Sequence, residues 1–239
     1  MRPGPGRRRR RAVTFGVTAA RVVPVGPAEA PPDCPLCPRL VDFRAACRVR
    51  DPEGYNAPVR SFGPASARLL VVGLAPGRDG ANHSGRPFTG DWAGDLLYET
   101  LELAGFAAGR YEERPDDGLT LVDCMVTNAV RCVPPANKPL PAEIATCRSF
   151  LVQRMAELPE LRAVLALGRI AHESTVRALG AKLSAVPFGH RRSHDLAHGG
   201  RALRLFDSYH CSRYNTNTGV LTTEMFRAVF ADVKDFLGQ

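Results

Sequence analysis

The chain is short of the features that mark a membrane or secreted protein. No run approaches the roughly 18 uninterrupted apolar residues of a membrane-spanning helix, so no membrane attachment is expected. The basic N-terminus is not followed, after Arg11, by the apolar segment of about 7–15 residues found in secretory signals, and a cytoplasmic location is expected. Acids are scarce at that end: residues 1–30 hold seven arginines (Arg2, Arg7 to Arg11 and Arg21) against one acid, Glu29. Cysteine is limited to seven, an odd count, too few and too scattered for a disulfide scaffold. Without a secretion signal, metal or iron–sulfur ligation is the better first reading of some of them.

What is present is the balance of an ordinary globular protein, 44% hydrophobic and 23% charged over 239 residues. That length buries one sizeable core, so a single domain over residues 33–239 is expected behind a tail at residues 1–32. The tail is rich in Arg, Pro, Gly and Ala without periodicity; disorder is expected there, with room for a short strand at residues 22–25. The net charge of +8 suggests a polyanionic partner, nucleic acid first. Residues 1–30 carry +6 of it, however, which leaves the body at +2. The body must make its own case.

From Arg68 on, apolar runs alternate with amphipathic segments. Leu69-Leu70-Val71-Val72-Gly73-Leu74 is a short continuous apolar run, as a buried parallel strand should be. Residues 92–104 place Trp92, Leu96, Leu97, Thr100, Leu101 and Ala104 at helical spacing. Residues 120–130 read as a second strand, and residues 141–158 as a helix opened by Pro141 and Glu143. A third strand (162–167), a helix (168–179), a fourth strand (202–209) and a closing helix (222–237, apolar at Met225, Val229, Val233 and Phe236) follow. This alternation predicts an α/β fold in three layers, with a central, mostly parallel four-stranded sheet flanked by helices on both faces. Ligands in such folds bind at the carboxyl ends of the strands, which directs attention to the loops after Leu74, Val130, Leu167 and Tyr209.

The first of these loops, Gly73-Leu74-Ala75-Pro76-Gly77-Arg78-Asp79-Gly80, is glycine-rich but lacks the Gly-Lys-Ser/Thr of a phosphate loop and the glycine spacing of a dinucleotide fingerprint. It runs on to Gly85-Arg86-Pro87-Phe88-Thr89-Gly90-Asp91, where an aromatic held between Pro and Thr suits base stacking. Asp91 opens a helix, so it reads either as an N-cap or as a catalytic carboxylate. The last loop holds His210-Cys211-Ser212-Arg213-Tyr214-Asn215-Thr216, dense in hydrogen-bonding groups, with His210 directly after a strand. Such a His can donate to a developing anion or be an idle loop residue. Cys34-Pro-Leu-Cys37 is a CxxC whose metal is ambiguous by itself.

Together these motifs resemble the uracil-DNA glycosylases, specifically the iron–sulfur branch called family 5 or B-type. The resemblance rests on residues 73–77 with 85–91, on Thr127-Asn128-Ala129-Val130-Arg131-Cys132-Val133-Pro134-Pro135, and on His210-x-Ser212-Arg213-x-Asn215-Thr216. Cys211 and Tyr214 depart from the branch, which has Pro and commonly Gln there, in the loop expected to enter the duplex. The resemblance implies one structural 4Fe-4S cluster on Cys34, Cys37, Cys132 and Cys147, four thiolates that also suit zinc. It implies as partner double-stranded DNA carrying uracil or another deaminated base such as hypoxanthine, bound by a monomer acting at the nucleoid.

The same resemblance assigns roles. The flipped base stacks on Phe88 in a pocket that includes Gly73, Ala75 and Gly77. Asn128 reads its polar edge; the competing reading is a strand-end Asn that ties down the next loop. His210 donates to the uracil anion, and Asp91 serves the positive sugar or its water, because Ala75 can do no acid–base work. Ser212, Arg213, Tyr214 and Asn215 meet the DNA. No lysine is placed as a Schiff-base nucleophile, so the product is an abasic site without strand cleavage. A non-catalytic iron–sulfur nucleic-acid-binding module and a phosphate-binding α/β enzyme are the rivals. The first would lack His210 or Asp91, and the second would need a lysine where only Arg78 stands.

Overall fold

A computed structural model describes residues 26–238. The elements in chain order are α1 (Pro38–Arg50), β1 (Leu69–Gly73), α2 (Ala81–Ser84), α3 (Trp92–Leu103), β2 (Ala107–Ala108), β3 (Thr120–Leu121), β4 (Cys124–Asn128), α4 (Pro141–Ala156), β5 (Ala163–Leu167), α5 (Arg169–Ala178), β6 (Ser193–His198), β7 (Arg201–Ser208), α6 (Arg213–Asn217) and α7 (Thr223–Leu237). The central sheet runs β4-β1-β5-β7-β6, parallel except for β6, which pairs antiparallel with β7.

Every residue of β1, β4 and β5 is buried, because helices cover both faces and leave no solvated side to alternate with. Successive side chains therefore enter different cores. Leu69, Val71, Val126 and Leu165 pack with Leu97 and Leu101 of α3 and Phe226, Val229 and Phe230 of α7. Leu70, Val72, Val164 and Leu205 pack with Leu151 and Met155 of α4 and Val176 of α5. The three-layer α/β architecture is as expected. No helix among the described residues is long and apolar enough to cross a membrane.

Four details depart from the sequence reading. The sheet has five strands, since β6 (Ser-His-Asp-Leu-Ala-His) is a polar edge strand with no apolar run to announce it. Helix α1 also went unread: its buried positions are Leu40, Arg44 and Cys47, and an arginine hides the helical period. The expected strand 120–130 is broken at Asp123, whose φ of 54° turns the chain between β3 and β4. Helix α7 buries Phe226, Phe230 and Leu237 along with Val229 and Val233, so its apolar face is wider than expected, with Met225 and Phe236 half-buried at its margins against the same core.

Residues 1–25, including the suggested strand at 22–25, lie outside the described residues. Residues 28–30, assigned to the tail by composition, belong to the body. Ala28 and Ala30 are buried, and Glu29 accepts from Ser61 N at 3.0 Å, pairs with Arg154 at 2.7 Å and lies 3.3 Å from Arg131. Burial alone would raise the Glu29 carboxyl, but Arg131, Ser61 and Arg154 together hold it below the usual range.

Candidate active site

The carboxyl ends of the parallel strands meet at one edge, where Gly73 is level with Asn128 and Leu167 with Ser208. A Cβ at Gly73 would collide with both Asn128 Oδ1 and the Phe88 ring. Glycine is what lets those two side chains converge over the end of β1. Asn128 is only 3% exposed, its Oδ1 has no partner, and its side chain makes no hydrogen bond among the described residues. It does not tie down the neighbouring loop; that loop is held by backbone bonds, Ala129 N to Gly73 O and Val130 N to Leu74 O, both 2.9 Å. A buried amide without partners is costly unless something arrives to use it.

Phe88 is buried and sits at φ 56°, a left-handed backbone that a bulky residue rarely adopts. Its ring lies 6.0 Å from that of His210, at an interplanar angle of 27°. His210 makes no side-chain hydrogen bond among the described residues, and burial pushes its pKa down to about 4. It is therefore a neutral imidazole at pH 7, able to donate from one nitrogen. Gly168, at φ 93°, backs the His210 Cβ at 3.4 Å from where its own Cβ would be.

Asp91 is at once a cap and a cleft residue, so the two sequence readings do not compete. Its Oδ1 accepts from Gly94 N at 3.1 Å at the start of α3. Its Oδ2 faces Gly77, where a Cβ would stand 3.2 Å away, and Gly80, where a Cβ would stand 2.9 Å away. Burial raises the Asp91 carboxyl, opposed by the Gly94 and Ala93 amides. Gly77, Phe88, Asp91, Asn128 and His210 line one open cleft of about 410 Å³, with Ala75 between it and the cysteines described below.

The other loop residues divide. Tyr214 and Arg213 are exposed, and Tyr214 is 74% accessible at the tip of α6. Ser212 caps α6 by accepting from Asn215 N, and Asn215 Nδ2 donates to His210 O at 2.8 Å, so both shape the loop itself. Cys211 is not part of the loop's outer face: it is fully buried in the core, its thiol 3.4 Å from Ala93 O, so its departure from Pro does not touch a duplex-entering surface. Two further residues join the cleft. Trp92 lines the cleft, donates from Nε1 to Thr216 Oγ1 at 3.0 Å and lies under Arg213 at 5.3 Å, which ties α3 to α6. Asn137, exposed and at φ 55°, reaches the rim beside Asp91 from the segment between Cys132 and Cys147. Trp92 stands at helical spacing with Leu96 and Leu97, which marks it as a packing position, and Asn137 stands in the segment 134–138, whose Asn and Lys suit phosphate contact; neither pattern points to the cleft itself.

Cys34, Cys37, Cys132 and Cys147 share one apolar pocket behind Ala75. Cys47 and Cys124 are buried elsewhere, Cys124 in the core under α3. Arg131 N donates to Cys147 Sγ at 3.3 Å. Arg44, 3% exposed, donates to Cys132 Sγ at 3.5 Å and to Cys34 O at 3.2 Å, and has no carboxylate partner among the described residues. A permanently charged guanidinium buried without an anion favours negative charge in that pocket. Four thiolates around a metal centre would supply it. Among the described residues, no group of three or more His, Cys, Asp or Glu stands ready to hold a single metal ion.

A profile of the uracil DNA glycosylase superfamily matches residues 60–234. A type-5 uracil-DNA glycosylase of Thermus thermophilus is 46% identical over 210 residues, covering 86% of this chain and 94% of the relative. One from Pyrobaculum aerophilum is 38% identical over 201 residues (82% and 86%), and one from Mycobacterium bovis 38% over 213 residues (86% and 78%).

Proposed function

This chain belongs to the uracil DNA glycosylase superfamily, and from that premise we propose that it is a DNA-repair glycosylase that flips uracil out of DNA and hydrolyses its N-glycosidic bond. The observation that carries the reading is Asn128. A side chain this buried, with an unpartnered oxygen at the end of a strand, matches an imide edge that offers one donor and one acceptor. A DNA-binding module without chemistry gives no reason to keep Asn128, His210 and Asp91 together in one cleft.

The steps follow from the geometry. Flipping costs a few kcal/mol, less for a mispaired base. The base enters between the Phe88 ring and the loop of His210, and Asn128 takes its polar edge. As the bond breaks, charge collects on the uracil oxygen. Neutral His210 donates to it without bringing a competing cation, an oxyanion-type contribution of roughly 2.7–4 kcal/mol. Asp91, open toward Gly77, faces the electron-poor sugar or orients the attacking water. No lysine is placed as a nucleophile in the cleft, so the product is an abasic site. Gly77 sets no side chain at the mouth, which leaves room for other deaminated bases such as hypoxanthine.

Cys34, Cys37, Cys132 and Cys147 fit a four-iron, four-sulfur cluster. When bound, it supplies a structural cross-link among the residue 28–37 segment, the end of β4 and α4. Anaerobically prepared protein should be brown; colourless protein with stoichiometric zinc would replace this assignment. The function itself is tested on an end-labelled duplex with one uracil. Strand cleavage only after alkali is the expected result, and an intact duplex after alkali would refute the proposal. Comparing uracil in single- and double-stranded substrates, and sedimentation of the free enzyme, address the expected duplex preference and monomer.

A further inference from the structure

The left-handed backbone of Phe88 is held by a hydroxyl from a distant part of the chain. Tyr111 follows β2, far from every motif of the cleft, yet its OH donates to Phe88 O at 3.2 Å and accepts from Gly90 N at 3.2 Å. One hydroxyl thus spans the two residues on either side of Thr89, and Gly90 leads directly into Asp91. Tyr98 stacks on Tyr111 at 4.5 Å and donates to Pro87 O at 2.6 Å. Arg86, buried among Phe62, Tyr98 and Tyr111, donates to Thr89 Oγ1 at 2.7 Å and closes a bidentate pair with Asp117. From the other side α3 presses on the same carbonyl, since a Cβ at Gly94 would collide with Phe88 O. Backbone in this region of φ and ψ costs of order 1–3 kcal/mol and persists only where the surroundings over-determine it. Tyr98 keeps its place in the core through its ring; Tyr111 is half-buried and reaches the loop chiefly through its hydroxyl.

We propose that Tyr111 is a positioning residue for base recognition: its hydroxyl sets the tilt of the Phe88 ring on which the flipped base stacks. The proposal rests on the glycosylase reading of the cleft. Burial keeps the Tyr111 hydroxyl protonated far above neutral pH, its pKa pushed up to about 12, so it serves as donor and acceptor together throughout the working range. Removing it leaves Phe88 O and Gly90 N to find other partners, and the ring is free to rotate out of the plane that matches Asn128.

The test is a double-mutant cycle on the full chain, read by single-turnover uracil release at saturating enzyme. Tyr111→Phe alone is expected to slow release by about tenfold, the scale of a misplaced contact. It should weaken binding of free uracil in parallel, with unchanged affinity for undamaged duplex. In a Phe88→Ala background the same change should cost less than about twofold, because the ring it positions is gone. Equal losses in both backgrounds, or losses that follow only a lowered Tm, would mean a structural role and overturn the proposal. Unchanged release by Tyr111→Phe in the wild-type background would also overturn it. Failure of the wild type to release uracil would be a failure of the glycosylase reading instead, so the two are separable.

Discussion

Two histidines at one edge of the sheet have opposite surroundings. His210, two residues beyond β7, has no hydrogen-bond partner for its ring among the described residues, and burial drives its pKa down to about 4. His172, in the first turns of α5, has both ring nitrogens engaged: Nδ1 lies 2.7 Å from the Asp207 carboxylate and Nε2 lies 2.8 Å from Val186 O. A carboxylate and a carbonyl facing the two nitrogens favour the protonated ring. Burial alone would lower its pKa, but Asp207 outweighs burial and raises it. Asp207 is only three residues from His210 in the chain and fully buried. The fold thus satisfies one histidine completely and leaves the other open. The same division separates Arg86 and Asp117, paired bidentately, from Asn128, paired with nothing. Polar groups with full partners hold the cleft; those without are its tools.

The comparison is broken most severely at Asp91, which has a foot on each side. Asp91→Ala should lower single-turnover base release by about 10³-fold, within the range for a positioned acid–base group. It should leave duplex binding intact, as a gel-shift titration would show, with a small loss of Tm from the missing cap. Because burial raises the Asp91 carboxyl, the acid limb of the wild-type rate should lie above the ordinary aspartate value. A limb at or below that value would show that the titrating group is not Asp91.

Asn128 tests the tool side alone. Asn128→Ala should lower kcat/KM for uracil by about 10²-fold, since a site built around a polar edge suffers when that partner is lost. It also deletes a buried unpaired oxygen, so Tm should hold or rise. A fall in Tm comparable to that of a core mutation would show that Asn128 has a structural task after all.

His172 tests the other side. His172→Phe removes the nearest partner of buried Asp207, leaving it Gly189 N at 3.4 Å and His194 at 3.9 Å, and should cost about 3 kcal/mol of stability, measured by urea unfolding, while the surviving folded fraction releases uracil at the wild-type rate. The pH dependence separates the two histidines by sign. The raised value of His172 means that its contribution is fully present below the unfolded-state value and is lost as pH rises through the folded one. The depressed value of His210 has the opposite sign: stability falls as pH drops from about 6.5 toward about 4, and His210→Asn should flatten that acid slope.

These contrasts also show what a sequence can reveal. The strands β1, β4 and β5 were legible because burial on both faces forces short runs dominated by apolar residues. The polar edge strand β6 and the arginine-bearing α1 follow no such rule. That Phe88, Asp91, Asn128 and His210 would meet in one cleft was legible because each lies in a motif near a strand end. Tyr111 reaches Phe88 from a segment with no pattern of its own, and neither the helical spacing of Trp92 nor the segment around Asn137 says that packing brings them to the cleft. Cys211 was misread for the converse reason: a loop motif in one dimension is a core contact in three.

The smallest effect is expected outside the described residues. Residues 1–25 hold seven arginines and no acid, whereas the remaining chain has 25 basic residues against 24 acidic ones. The overall charge therefore says little about the cleft, whose proposed base contacts are a ring stack and hydrogen bonds. Arginines that meet phosphates act through counterion release, with log K falling by about 0.9 per contact for each decade of salt. Removing residues 1–25, and no further because Ala28 to Ala30 pack in the body, should weaken duplex binding severalfold at low salt. The difference should shrink as salt rises, and base release at saturating enzyme should not change. A truncated protein with the wild-type salt slope would show that the +8 charge has no part in DNA binding; a truncated protein slow at saturation would carry the tail into the chemistry.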